Sequence, residues 1–62
     1  MRTWKLVGVP RDPRGREVNL EGWHPTTTAW TRSKAVSNIR FQIQQRYHVW
    51  CSIEERDVIC VA

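Results

Sequence analysis

The chain has 62 residues, 40% of them hydrophobic, and carries ten Lys+Arg against six Asp+Glu, a formal charge of +4. That length supports one small domain, residues 1–62, with a single two-layer core. No apolar run approaches the roughly 18–20 residues of a membrane span, and "MRTWKLVGVP" runs into "RDPRGR" where a secretory signal would continue apolar and end in small residues. A whole cytoplasmic protein is the expectation, one that an excised domain would satisfy equally.

"RTWKLVGV" (2–9) is rich in β-formers and reads as a strand. "PRDPRGR" (10–16) has two prolines and a glycine in seven residues and reads as a turn. "EVNLEGW" (17–23) alternates Val18 and Leu20 against Glu17, Asn19 and Glu21, the pattern of a strand with one wet face. These two strands are predicted to form a hairpin with a long basic tip. Pro25 ends the pairing, and the β-branched "TTTAWT" (26–31) supplies a third strand.

A helix follows from Lys34 to about Gln45, with Ser33 or Thr31 as its hydroxyl cap. Ala35, Val36, Ile39, Ile43 and Tyr47 fall on one side of it and are expected to pack on the sheet. The tail divides into "HVWCSI", "EERD" and "VICVA". One reading pairs the first and last as a hairpin that sets Cys51 opposite Cys60; another leaves 49–56 irregular and adds only 57–61 to the sheet. The apolar run "VICVA" suits a strand covered on both sides. The expected fold is α+β: a mainly antiparallel sheet of three to four strands with one helix on one face, in the order β-β-β-α-β.

Catalysis finds little support. General acid–base work needs paired ionisable groups in a concave, partly dry site, and the acids here fall on a polar strand face or in turns. His24 and His48 lie in a loop and after the helix, without a nucleophile beside them. No enzyme activity, cofactor, metal or small-molecule substrate is expected. Cys51 and Cys60 read first as reduced thiols. A cross-strand disulfide follows only from the tail-hairpin register, and C-x8-C is not a usual zinc spacing.

Binding is the remaining class. Acids occur at Asp12, Glu17 and Glu21 and then not until Glu54, leaving Arg32, Lys34, Arg40 and Arg46 uncompensated in sequence. Arg11, Arg14 and Arg16 surround the proline-glycine turn, and guanidinium forks on a loop tip suit phosphate oxygens. Arg32 and Lys34 begin the helix, where free N–H groups favour an anion; Lys5 lies on the first strand. On the helix's outer side Lys34, Ser37, Asn38 and Gln45 surround a lone aromatic, Phe41. Either the tail folds over Phe41 with Trp50, or Phe41 meets a partner. Trp4, Trp23, Trp30 and Trp50 are many for so short a chain; core duty is the default, but strand parity puts Trp23 on the wet side.

With "RDPRGREVNL" as first hairpin and "TTTAWTRSKAVSNI" as third strand entering a helix, residues 4–46 resemble the amino-terminal arm-binding domain of tyrosine-type integrases. The resemblance implies a three-stranded sheet with a helix behind it that reads DNA. "CSIEERDVICVA" lies outside that pattern, and no catalytic region accompanies it.

Two functions stay open. In the first, the protein binds nucleic acid through Lys5, Arg11, Arg14, Arg16, Arg32 and Lys34. In the second it is a protein–protein adaptor or modulator of phage or mobile-element type, self-associating or joined to another protein through Trp23, Asn38, Phe41 and Gln45.

Overall fold

The N-terminal strand β1 (Arg2–Leu6) is the middle of a three-stranded antiparallel sheet in the order β2-β1-β3, with β2 at Thr26–Ala29 and β3 at Val58–Cys60. The structure is a computed structural model describing all 62 residues. One helix, α1 (Arg32–Tyr47), lies across one face, and a single 3-10 turn (Glu55–Asp57) leads into β3. The class is the expected α+β, with three strands and no fourth.

The missing strand is 17–23. Leu20 and Val18 turn inward as the alternation requires, but Glu21 (φ 57°) and Gly22 (φ 81°) both take left-handed backbone. The Trp23 N–H closes the turn on the Leu20 carbonyl at 3.0 Å, and the Asn19 side chain accepts the Glu21 N–H at 2.9 Å. Two consecutive residues with positive φ make a reversal rather than a strand. The partner of β1 is therefore β2, in register from Arg2↔Ala29 to Lys5↔Thr26. The resemblance implied three strands ahead of the helix; here the third comes after it.

On the other edge β1 pairs with β3, Trp4 opposite Cys60 and Leu6 opposite Val58. The tail hairpin does not form. Residues 49–54 are irregular, Cys51 is buried in the core, and both thiols are free. "VICVA" makes an edge strand and is not covered on both sides: with a single helical layer, Ile59 and Val61 stay exposed on the open face.

Alternation along β1 turns Trp4 and Leu6 toward the helix and Thr3 and Lys5 away. The helix answers with Ala35, Ile39 and Ile43, all fully buried, while Val36 and Tyr47 pack at the margin. Complete burial of Leu6, Ile39, Ile43 and Val58 stabilises the fold by roughly 1.5–3 kcal/mol per side chain. Thr31 caps the helix, its hydroxyl accepting the Lys34 N–H at 3.2 Å. His48 ends it in left-handed backbone, its N–H on the Gln44 carbonyl at 2.7 Å.

Helix side chains also close the sheet's edges. Gln42 donates to the Thr26 carbonyl at 2.8 Å, and Asn38 donates to the Thr27 hydroxyl at 3.2 Å and the Thr28 carbonyl at 3.5 Å. Arg32 donates to the Val58 carbonyl at 3.0 Å. Exposed strand edges invite pairing with other chains; these contacts occupy carbonyls that would offer it.

Candidate nucleic-acid interface

The basic tip is built around one acid. Asp12 Oδ1 accepts the N–H groups of Arg14 and Arg16, each at 2.9 Å. The Asp12 N–H donates to the Arg16 carbonyl at 2.8 Å, and the Gly15 N–H donates to the Asp12 carbonyl at 2.9 Å. Gly15 sits at φ 84°, a backbone that disfavours any side chain. Asp12 side chains favour such local bonds because the carboxylate mimics a turn of backbone. The tip is anchored below: Arg11 bridges to Glu17 on one side and exchanges backbone bonds with Ser52 on the other, at 3.1 and 2.7 Å.

The three tip arginines are not equivalent. Arg11 folds back, donating to the Gly15 carbonyl at 2.8 Å and lying 3.8 Å from the Glu17 carboxylate. Arg14 and Arg16 are exposed, and neither guanidinium has a hydrogen bond or ion pair within the chain. Lys5 is half-buried on the open sheet face, also without an ion pair.

Arg32 and Lys34 stand apart from this group. β2 carries the chain from the Lys5 end of the sheet to the Arg2 end, so the helix starts at the end of the sheet away from the tip. Arg32 is committed to the fold: its guanidinium lies 5.4 Å from the Trp4 ring centroid while Nε holds Val58. Lys34 is exposed and unpaired.

The residues singled out for a protein partner also divide. Trp23 is half-buried, its ring 6.4 Å from Tyr47 and covered by Arg46 at 4.6 Å. The reversal at Glu21–Gly22 changes its parity, so the wet-side expectation fails. Asn38 precedes Ile39 by one residue, a rotation of about 100°, which takes it off the outer face and over the edge of β2. Gln45 is exposed and donates to Gln44 at 3.0 Å. Phe41 is covered only in part: Trp50 approaches at 6.4 Å, and the two rings remain 55% and 52% exposed.

Sequence reasoning named Arg40 as an uncompensated cation but missed its partner. Its Nε donates to the Cys51 carbonyl at 2.7 Å and pins the tail along the helix. Along that tail Trp50 meets Phe41, and Ser52, two residues on, bonds Arg11. Trp30, exposed to 74%, stands next to Arg32 and Lys34 in the chain. No group of His, Cys, Asp and Glu is arranged to hold a metal ion, and no helix is long and apolar enough to cross a membrane. Compared with known proteins, the chain matches no family model, no curated protein and no solved structure.

Proposed function

We propose that this is a non-enzymatic nucleic-acid-binding protein acting in the cytoplasm, with the Asp12-clamped tip as its phosphate contact. The observation that carries the reading is that Arg14 and Arg16 project from a loop already fixed by four hydrogen bonds, and neither guanidinium is used internally. Preorganised, unpaired guanidinium groups lose little freedom on meeting phosphate oxygens. Lys5 adds a third cation on the open face, and Arg11 reinforces the field while holding the loop shape. Phe41 and Trp50, the latter two residues from the Ser52 that bonds Arg11, offer π faces on which unpaired bases could stack. Arg32 serves the fold first in this reading, and Lys34 contributes only long-range attraction.

Fluorescence anisotropy with a labelled 20-mer, single-stranded and duplex, tests the proposal across a salt series. The expected log–log slope is about −0.7 to −0.9 per phosphate neutralised, giving roughly −2 to −3 overall. Arg14→Ala with Arg16→Ala should lower affinity at low salt and flatten the slope by about 1.5–2. Unchanged binding in a folded double variant, or no binding at low salt, would sink the proposal.

The second reading, a protein adaptor acting through Phe41, is favoured by one observation: the Phe41–Trp50 pair stays about half exposed although each ring is already the other's neighbour. Concentration-dependent association that Phe41→Ser abolishes would support it. A monomer whose stability and partner capture ignore that substitution would remove it.

A further inference from the structure

Residues 2–9 and 17–23 have the pattern of a hairpin, yet the second segment bonds only the residues just beyond the first, at the base of the tip, where the Val18 N–H donates to the Pro10 carbonyl at 2.9 Å. Below the tip the two segments part, and β1 turns instead to Pro25, whose carbonyl accepts the Leu6 N–H at 3.0 Å. Between them lies a groove of about 430 Å³. Leu20 is buried in it, and Val7, Val9 and Val18 line it, with Val7 and Val9 about half exposed. Neither the N–H nor the C=O of Gly8, Val9 or Asn19 has a partner in the chain.

The groove's charge is opposite to the protein's. In a chain of formal charge +4, Glu17 and Glu21 are its only carboxylates, and no lysine or arginine lines it. Arg11 approaches Glu17 only at 3.8 Å, and Glu21 has no ion pair. Both walls are held in place. Val7 N–H donates to the Asp57 carbonyl at 2.8 Å, and Gly8 lies so close to Asp57 that a Cβ there would collide with its side chain. On the other side the Leu20–Trp23 turn is fixed by its own bonds.

We propose that this groove binds a short extended peptide in which aliphatic and cationic side chains alternate. Alternation along a strand points every second side chain the same way, so aliphatic residues enter toward Leu20 while lysines or arginines meet Glu17 and Glu21. The unpaired main-chain groups of Gly8, Val9 and Asn19 bond the peptide backbone, as in strand addition. A nucleic acid is repelled by the same two carboxylates. The site shares Glu17 with the base of the arginine tip but uses neither Arg14 nor Arg16, and it stands without the nucleic-acid reading.

The test is an NMR titration of the isotope-labelled full chain with the capped pentapeptide Val-Lys-Val-Lys-Val. Saturable amide shifts centred on Gly8, Val9, Asn19 and Leu20 are expected. Glu17→Gln with Glu21→Gln should weaken binding at least about fivefold, and a peptide N-methylated at alternate residues, which needs no protein variant, should not bind. Equal binding of Val-Glu-Val-Glu-Val, shifts confined to other residues, or no saturable shift at millimolar peptide would overturn the proposal. Shifts of these amides with protein concentration alone would make the occupant a second copy of the chain and overturn it equally.

Discussion

The Arg32 guanidinium lies over the Trp4 ring, 5.4 Å from its centroid, while its Nε donates to the Val58 carbonyl at 3.0 Å. One side chain thereby ties the start of α1 to the middle strand and to the outer edge of β3. Arg32→Ala should destabilise the protein by about 1–2 kcal/mol, combining a charge-assisted hydrogen bond with a cation–π contact. Arg32→Lys should recover only part of this, because an ammonium lacks the planar fork. Chemical denaturation of the three proteins checks the order; equal stability of Arg32→Ala and the parent would contradict it.

Asn38 and Gln42 occupy the carbonyls on the free edge of β2. Replacing either with Ala should cost about 0.5–1.5 kcal/mol. The double variant should also aggregate more readily than its stability loss explains, since the uncovered edge offers a template for strand addition. Light scattering at matched fractions unfolded separates the two effects.

The Tyr47 hydroxyl is buried without a hydrogen-bond partner, although its ring packs against Trp23. Burying an unsatisfied hydroxyl is unfavourable, so Tyr47→Phe should raise stability by up to about 1 kcal/mol while preserving the ring contacts. A rise in Tm is the expected reading. A fall would show that the hydroxyl is satisfied in solution.

The two cysteines should differ in reactivity. Cys51 is fully buried, and its thiol pKa is raised, chiefly by burial and secondly by Asp12, with Arg40 acting the other way. Cys60 is exposed. Alkylation of the native protein at mildly alkaline pH should label Cys60 alone, and both residues in denaturant. Because the folded protein holds the Cys51 proton more tightly than the unfolded chain, this contribution to stability is complete below the ordinary thiol range. It is lost as pH rises through the raised folded value. Denaturation at increasing alkaline pH should show a decline that is smaller in Cys51→Ala.

The helix and its buried stripe were legible in the sequence, because Ala35, Ile39 and Ile43 repeat at a period only one conformation satisfies, while the choice between Ser33 and Thr31 as cap was not. The basic turn was legible too, since Pro10, Pro13 and Gly15 mark it, though the Asp12 clamp that fixes it was not. The α+β class was legible as well. Strand partnership was not. "EVNLEGW" has a strand's alternation, and nothing local distinguishes it from "TTTAWT" as the neighbour of β1. The choice goes to the segment whose pairing also lets α1 cover Trp4 and Leu6.

The same holds for individual side chains. Composition marks Arg11, Arg14, Arg16 and Arg32 as equivalent cations, yet Arg32 and Arg11 bond within the fold while Arg14 and Arg16 do not. Trp23 changes side because two residues before it take positive φ. Periodicity is local and can be counted along the chain; which carbonyl a guanidinium reaches, and which two segments separate to leave a groove, depends on contacts between residues far apart in sequence.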